Sequence, residues 1–260
     1  MNDAAADDLA AALATAHETV TAVDPDGVPT GGLPSSIDAG YRVQTRLVDR
    51  LVADRGDPVG YKIGFTNERV RADLGVDEPG YGRLLEESVH DATDGDEPVS
   101  VPTEEFIDPR VEPEVAFRLG DDLPADASRD RAHDAVETVL PAIELVDSRT
   151  GWAFDAPLAI ADNCLDAGIV LGDGTGPSSL ALGEESVTLR VDGEPSDSGV
   201  GADALGHPLA ALTWLADAVD GLPVGTLVTT GSLTEPGSVA AGETASATFA
   251  SLGSVELRLR

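Results

Sequence analysis

The chain has 260 residues, a length that suits one large domain or a core domain with a smaller appendage. With 48 acidic and 16 basic residues its formal net charge is −32, so few side chains could neutralise phosphates, and we expect no nucleic-acid partner. A hydrophobic content of 42% separates the chain from acidic disordered proteins, and its single cysteine, Cys164, excludes an intrachain disulfide.

The acidic residues are spread along the whole chain rather than gathered in a tail. This distribution predicts a folded protein with an acidic surface from a halophilic organism, because in molar salt a Debye length of about 3 Å screens the repulsion. The sequence shows no signal peptide and no apolar run long enough to span a membrane. We therefore expect a cytoplasmic protein without a membrane partner.

Helices come first in the sequence and strands dominate later. In chain order, apolar periodicity and turn residues predict helices over 3–20 and 37–54, a strand over 59–65, a helix over 67–74 and an acidic surface turn over 91–98. A strand is predicted after Pro109, and a helix over 128–139 is stopped by Pro141. The remaining predicted elements are a strand over 142–147, a helix over 208–219 and strands near 243–249 and 253–259. This order predicts an α+β fold. We expect a helical N-terminal region, 1–58, and a β-rich domain, 59–260, that form one continuous unit.

Two glutamates alternate along the strand that follows Pro109. Because successive strand side chains point to opposite faces, Glu112 and Glu114 project to the same side. Both could face solvent in so acidic a chain. However, Glu144 lies in another apolar run, and three hard oxygen ligands from two strands suit Mg²⁺ or Mn²⁺. Pro113 between the two glutamates lacks a ladder donor, which predicts an edge strand or a bulge.

Lys62 is the only lysine of the chain and lies in a short predicted strand bounded by glycines. Arginine cannot deprotonate, whereas burial can lower the pKa of a lysine and make it an acid–base group. Lys62 could also be a residual surface residue. Its presence where every other basic position is arginine favours a catalytic role.

Three further polar residues are candidates for substrate binding. Asp162 and Asn163 lie between apolar segments, where they could bind a ligand or could be turn residues that satisfy their own backbone. Ser232 follows a strand in a Gly-Ser loop, which is suited to presenting backbone N–H groups to a carboxylate.

A series of motifs runs along nearly the full chain: Gly60-Tyr61-Lys62-Ile63-Gly64-Phe65-Thr66, Leu74-Gly75-Val76-Asp77-Glu78-Pro79, Tyr81-Gly82, Pro109-Arg110-Val111-Glu112-Pro113-Glu114, Pro141-Ala142-Ile143-Glu144, Asp147-Ser148-Arg149, Ala161-Asp162-Asn163, Leu205-Gly206-His207-Pro208-Leu209, Thr230-Gly231-Ser232 and Leu252-Gly253-Ser254-Val255. In this order and spacing the chain resembles the 2-oxopent-4-enoate hydratase and 4-oxalocrotonate decarboxylase family of the fumarylacetoacetase superfamily.

The resemblance implies a fold, a site and a reaction. It implies a mixed β-roll core with a smaller N-terminal part, in a homo-oligomer. It implies that Glu112, Glu114 and Glu144 hold Mg²⁺ or Mn²⁺ and that Lys62 is an active-site acid–base. The implied reaction is the hydration of a 2-hydroxy-2,4-dienoate to a 4-hydroxy-2-oxo acid in aromatic meta-cleavage catabolism, where ketonisation makes an acceptor alkene and water adds at C4.

Two positions depart from the family pattern. Gly80 replaces the acid that hydratases generally carry before Tyr81, and Leu165 replaces the serine that tends to follow Asn163 by two residues. A hydratase would then need another base, such as Glu78, or water on the metal.

The missing acid keeps other reactions open. Related 4-oxalocrotonate decarboxylases also lack it, so a decarboxylase is the main alternative. An acylpyruvate C–C hydrolase ranks third, because none of the four histidines lies in a recognisable motif for activating water. A non-catalytic protein would have no need to bring three glutamates and the sole lysine together.

Overall fold

The computed structural model describes residues 1–28, 31–92, 97–178 and 180–260, so residues 93–96 of the predicted acidic turn 91–98 lie outside the described part. The described helices are α1 Asp3–Thr19, α2 Ile37–Arg55, α3 Glu68–Leu74, α4 Arg129–Ala135, α5 Ala156–Ala161 and α6 Pro208–Ala218. The strands are β1 Pro58–Gly64, β2 Gly80–Leu85, β3 Val89–Asp91, β4 Val99–Val101, β5 Arg110–Leu119, β6 Val136–Val146, β7 Asp166–Leu171, β8 Ser186–Val191, β9 Glu194–Val200, β10 Leu227–Thr229, β11 Gly237–Ser238, β12 Thr244–Phe249 and β13 Gly253–Leu259.

The two long N-terminal helices were predicted to within about a residue at each end. The Ser36 hydroxyl accepts a hydrogen bond from Ala39 N and caps α2. Buried leucines of α1 and α2, including Leu13 and Leu47, form one core cluster with Leu158 of α5. The N-terminal helices therefore pack on the later part of the chain, while the division at residue 58 stays a prediction. No helix in the described ranges has the length and hydrophobicity of a membrane span.

Two sheets form the β-rich part. The larger has the order β2-β1-β10-β5-β6-β7-β3, with β11 also paired to β5, and the smaller has the order β4-β13-β12-β8-β9. The larger sheet mixes parallel and antiparallel pairs and curls, so that Arg83 of β2 donates its backbone N–H to Asn163 just before β7. The predicted α+β class and mixed β-roll are confirmed.

Strand β5 has one apolar and one acidic face. Val111, Val115 and Phe117 have no exposed surface and join the main core, which β5 and β6 share with the smaller sheet and α6. Burial of each such side chain stabilises the fold by roughly 1.5–3 kcal/mol. Because a one-residue slip would exchange the two faces, this burial fixes Glu112 and Glu114 on the opposite side.

The prediction of a helix over 128–139 is wrong at its C-terminal end. Helix α4 stops at Ala135, and β6 runs from Val136 through Pro141, with Val139 opposite Phe117 of β5. The β-branched residues of this segment favour a strand once a partner strand is available. Pro141 lies beside the residue that follows β7, and its carbonyl accepts a hydrogen bond from Gly172 N. Its missing N–H therefore falls just beyond the end of the regular pairing with β7.

The prediction that Pro113 marks an edge strand or a bulge is also wrong. Strand β5 is central, with β6 on one side and β10 and β11 on the other. Pro113 lies opposite the gap between β10 and β11, where its carbonyl accepts from Leu233 N at 3.0 Å. The loop over residues 230–236 fills this gap, so the missing N–H of the proline interrupts no regular ladder.

We expect the folded state to depend strongly on salt. Two short ion pairs, Arg46–Asp3 and Arg50–Asp7, link α1 and α2 at 2.9 Å, but the net charge of −32 leaves most acids without a cation. Because salt screens this repulsion, raising KCl from 0.1 M to 3 M should raise the unfolding temperature by about 10 °C or more. Differential scanning calorimetry measures this, with sucrose as the uncharged control. An unfolding temperature that is insensitive to KCl would contradict the expectation.

Candidate metal centre and catalytic cleft

Three carboxylates meet on the acidic face of β5 and β6. Glu112 lies directly opposite Glu144 in the strand register, and Glu114 lies two residues further along β5. One oxygen from each lies within 4.8 Å of the other two. Glu114 and Glu144 have no exposed surface, whereas Glu112 is half-buried at the edge of a cleft. Glu112 and Glu114 therefore project to the same side of β5, as their alternate positions on the strand predict.

The sole lysine joins this group from a different part of the sheet. Lys62 of β1 is buried, and its Nζ lies 3.0 Å from Oε2 of Glu144. Strand β1 lies next to β10, with Lys62 opposite Thr229, and β10 in turn lies next to β5. The curl of the sheet and the long side chain of Lys62 together allow this contact with Glu144, which lies 82 positions later in the sequence.

Burial and mutual charge dominate the electrostatics of the group. Burial raises the pKa of all three carboxyls, to about 7 for Glu112, while the charge of Lys62 opposes the rise. Burial also disfavours the charge of Lys62, but the neighbouring acidic groups, with Glu144 first and Glu112 and Glu114 after it, together outweigh burial, so the pKa of Lys62 is raised. Burial alone, which the sequence suggested, would lower the pKa of Lys62, and the adjacent carboxylates act in the opposite direction. The catalytic role of Lys62 stays a prediction.

The Gly-Ser loop presents a backbone N–H to a carboxylate, as predicted. That carboxylate belongs to a side chain of the protein rather than to a substrate. Gly231 N donates to Oε2 of Glu114 at 2.8 Å. The φ angle of Gly231 is +95°, and a Cβ at this position would lie 2.1 Å from the Thr66 hydroxyl oxygen. Only glycine tolerates both the positive φ angle and the close approach of Thr66, so a glycine at this position is required to orient Glu114.

The donor set fits a divalent cation. Oε1 of Glu114 and Oε1 of Glu144 are buried without a hydrogen-bond partner among the described residues. Three ionised carboxylates and one ammonium carry a net formal charge of −2, which a divalent cation would balance. Hard oxygen ligands of this kind are those that Mg²⁺, Mn²⁺ and Ca²⁺ prefer. A divalent cation is therefore supported at this centre.

A cleft of about 450 Å³ opens at this group. Lys62 and Glu112 line its inner end, and Ser232 lies on its wall. The Ser232 hydroxyl donates to Thr234 O and accepts from Thr234 N, so this hydroxyl also shapes its own loop. The cleft thus brings together five of the predicted site residues, directly or through their contacts: Lys62, Glu112, Glu114, Glu144 and Ser232.

The remaining two candidates, Asp162 and Asn163, do not line the cleft. Asp162 is buried and accepts from the Nε and the backbone N of Arg149, at 2.7 and 2.8 Å. Asn163 accepts from Arg83 N and donates to Arg83 O, which ties it to β2. Their role as substrate ligands stays a prediction, and their observed contacts are structural.

Asn163 begins a turn of unusual backbone conformation. Asn163, Cys164 and Leu165 have φ angles of 50°, 55° and 64°, a region that costs energy for residues with a side chain. The paired hydrogen bonds to Arg83 hold this turn in place. Cys164 and Leu165 line the cleft, so the turn delivers two side chains to it.

Replacing Asp162 with alanine should destabilise the protein severely. The change leaves the buried guanidinium of Arg149 without its partner, which typically costs about 3–5 kcal/mol. Urea unfolding at constant KCl measures the loss. Asp3→Ala, which removes the exposed partner of Arg46, is the matched control and should change stability little. Equal effects of the two substitutions would show that the buried pair is not important for stability.

The glycine that replaces the family's acid lies on the face that carries Lys62. Gly80 pairs with Gly64, which follows Lys62 by two residues, so a side chain at position 80 would point to the same side of the sheet. A Cβ there would lie 3.1 Å from the ring of Phe65 and 3.2 Å from Ile160. Glu78, the alternative base, is exposed and does not line the cleft.

Sequence reasoning missed most of the cleft wall. Phe65, Trp152, Phe154 and Leu165 line it, although none was a candidate site residue. Aromatic residues make up only 4% of the chain. The presence of several of them close in sequence to predicted site residues was therefore the signal that could have identified this wall. Cys164 also lines the cleft, and burial raises the pKa of its thiol to about 12, so the thiol stays protonated at neutral pH.

The fold and the site define a class of protein: a mixed β-roll that encloses a carboxylate cation centre with an adjacent lysine. Residues 86–260 match the family described as fumarylacetoacetate (FAA) hydrolase C-terminal. The chain belongs to this family, as the resemblance implied.

Named relatives extend the match over most of the chain. A 2-oxo-hept-4-ene-1,7-dioate hydratase of Escherichia coli is 31% identical over 240 residues, 86% of each protein. A TodF product hydratase of Pseudomonas putida is 36% identical over 230 residues, covering 85% of this chain and 83% of the relative. The structure of 4-oxalocrotonate decarboxylase from Pseudomonas putida G7 with magnesium and adipate superposes with a TM-score of 0.92 at 25% identity, over 100% of this chain and 99% of that one. The predicted enzyme class, a lyase, is confirmed.

Proposed function

We propose that this protein is a metal-dependent hydratase that adds water to a 2-hydroxy-2,4-dienoate of the 2-oxopent-4-enoate type, in the meta-cleavage catabolism of aromatic compounds. The observation that carries the proposal is the convergence of Lys62 with three buried or half-buried glutamates at the inner end of one cleft. The hydratase names of relatives at 31% and 36% identity support it.

Glu112, Glu114 and Glu144 would hold the cation, for which we propose Mg²⁺ or Mn²⁺. When bound, the cation acts as a Lewis acid that stabilises negative charge on the C2 oxygen of a 2-oxo acid. Magnesium in the related decarboxylase structure supports the first choice. Gly231 N holds Oε2 of Glu114, while Oε1 has no hydrogen-bond donor in the part of the chain that the structure describes and can ligate the cation.

Lys62 supplies the proton movements. The dienol loses the proton of its C2 hydroxyl and gains one at C5, which gives a 2-oxo-3-enoate. The oxygen of a water molecule then bonds to C4 and the water loses one proton, while a proton is added at C3, which gives the 4-hydroxy-2-oxo acid. Nζ of Lys62 carries a proton at neutral pH and lies at the inner end of the cleft, where it can serve these positions.

The other candidate residues support binding. Ser232 lies on the cleft wall, and we assign it a contact with the substrate. Asp162 and Asn163 act indirectly, by holding the turn that carries Leu165 into the cleft.

One observation favours the decarboxylase alternative. Gly80 lies on the face of the sheet that carries Lys62 and has no side chain to serve as a base for water, whereas decarboxylation of a 4-oxalocrotonate uses the same dienolate without such a base. The acylpyruvate hydrolase has less support, because none of the four histidines, all of which lie in the described ranges, lines the cleft.

Separate assays of the two substrates test the proposal. In molar KCl with Mg²⁺ or Mn²⁺, 2-hydroxypenta-2,4-dienoate should give 4-hydroxy-2-oxopentanoate, identified by proton NMR. 4-Oxalocrotonate should release no CO₂. Release of CO₂ from the second compound without hydration of the first would make the protein a decarboxylase.

The expected homo-oligomer and cytoplasmic location remain part of the proposal. Light scattering of the full chain in molar KCl measures the subunit number. A monomer would contradict the family resemblance on this point.

A further inference from the structure

The outer part of the cleft is lined by two apolar surfaces. The first, which we call the aromatic wall, consists of Phe65, Val146, Trp152, Phe154 and Leu165. The second belongs to α3, from which Leu74 and the 37% exposed Val70 face the cleft.

The charged groups of the outer cleft are all acidic. Those that line it are Asp73, Asp197, Asp203 and Glu235. Asp197 and Asp203 are half-buried, and Asp197 accepts from the backbone N of Glu235 at 2.9 Å, which holds it near the cleft. All 16 basic residues lie in the described ranges, and of these Lys62 alone lines the cleft.

Three arginines contact residues that line the cleft. Arg71 donates to the carbonyls of Phe65 and Thr66 at 2.8 and 2.7 Å. The guanidinium of Arg110 lies 3.8 Å from the centre of the Trp152 ring. Arg69, on the exposed rim, lies 4.0 Å from Glu235. None of these three arginines lines the cleft, and each already contacts another group of the chain.

We propose that the outer cleft selects substrates whose chain beyond C5 is apolar and uncharged, and that it disfavours a second carboxylate there. Each methylene buried against the aromatic wall should tighten binding about fourfold. A carboxylate in the same place would lose water without gaining a cation and would meet four acidic side chains. This inference rests on the proposed function, because it takes the 2-oxo acid end to lie at the cation centre.

Two unreactive ligands of equal chain length provide the test. 2-Oxohexanoate and 2-oxoadipate differ only in a terminal methyl or carboxylate group. Calorimetric titration of the full chain with Mg²⁺ at constant KCl should show that 2-oxohexanoate binds about tenfold tighter or more. Equal affinities, tighter binding of 2-oxoadipate or binding of neither ligand would overturn the proposal.

A charge added to the cleft should reverse the preference. Val70→Arg places a cation at a partly exposed position of α3 and should shift the affinity ratio toward 2-oxoadipate by about tenfold. Val224→Arg is the matched control, because Val224 is 58% exposed and does not line the cleft. It should leave the ratio unchanged. Equal effects of the two variants would show that the selectivity arises outside the outer cleft.

Turnover separates a failure of this inference from a failure of the proposed function. If the protein hydrates both 2-hydroxyhexa-2,4-dienoate and a dicarboxylate dienoate with equal kcat/KM, the function holds and the selectivity is wrong. If it hydrates neither, the proposed function fails whatever the calorimetry shows.

Discussion

Replacing Glu144 with glutamine is expected to abolish divalent-cation-dependent turnover while leaving the fold intact. The change keeps the size of the side chain but removes one of three charges at the proposed cation centre, and with it the partner of Lys62. Loss of Lewis-acid stabilisation worth about 4 kcal/mol corresponds to a fall in kcat of about a thousandfold or more. Steady-state kinetics and calorimetric titration with Mg²⁺ or Mn²⁺ measure the two consequences independently.

Glu137→Gln is the matched control, since Glu137 lies on the same strand, β6, but is exposed. It should alter neither turnover nor cation affinity. If Glu144→Gln bound the cation as tightly as the unaltered protein, the assignment of Glu144 as a metal ligand would be wrong. Undiminished activity of the unaltered protein after exhaustive chelation would refute the metal requirement itself.

Replacing Lys62 is expected to separate catalysis from cation binding. Lys62→Met keeps most of the side-chain volume but cannot carry a proton, and Lys62→Arg keeps the charge but holds its proton too firmly. Both variants should lose about 10²- to 10⁴-fold in kcat, the usual contribution of a positioned acid–base group. Lys62→Met should also bind the cation at least as tightly, because a positive charge 3.0 Å from Glu144 has been removed.

The control for Lys62 removes the same charge elsewhere. Arg258→Met lies on β13 in the smaller sheet, at an exposed position away from the cleft, and should change neither quantity. Turnover that survives in Lys62→Arg would remove Lys62 from the proton steps. Loss of cation affinity in Lys62→Met would instead give the lysine a structural role in the centre.

Local patterns were sufficient to predict the elements that depend on local interactions. The capping residues Ser36 and Asn67 mark helix starts in the sequence and accept the expected backbone hydrogen bonds in the structure. Strand periodicity likewise placed Glu112 and Glu114 on one face, because the core buries their neighbours on the other.

Features that depend on distant parts of the chain were not predictable in this way. The segment from Val136 to Val139 has a helical pattern locally, and its pairing with β5 makes it a strand. Pro113 suggests an edge strand until the gap between β10 and β11 is known. The electrostatics of Lys62 likewise depend on a residue distant in the sequence, since the curl of the sheet brings Glu144 next to it.

The cleft wall illustrates the same limit for function. Leu165 was visible as a departure from a family pattern, but its place beside Phe65 and Trp152 depends on a left-handed turn held by Asn163. The sequence suggested a turn at Asp162 and Asn163, but it gave no signal that Cys164 and Leu165 would also adopt positive φ angles, which are rare for residues of these types. The substrate-tail selectivity therefore became apparent only from the assembled cleft.

Incorporation of oxygen from labelled water tests the central claim most directly. The protein is incubated in molar KCl with Mg²⁺ and 2-hydroxypenta-2,4-dienoate in H₂¹⁸O, and the product is analysed by carbon-13 NMR. We predict an isotope-shifted C4 signal, because hydration places a water oxygen on that carbon, and we predict its loss in Glu144→Gln. Recovery of only the tautomerised 2-oxo acid, with no ¹⁸O at C4, would contradict the account.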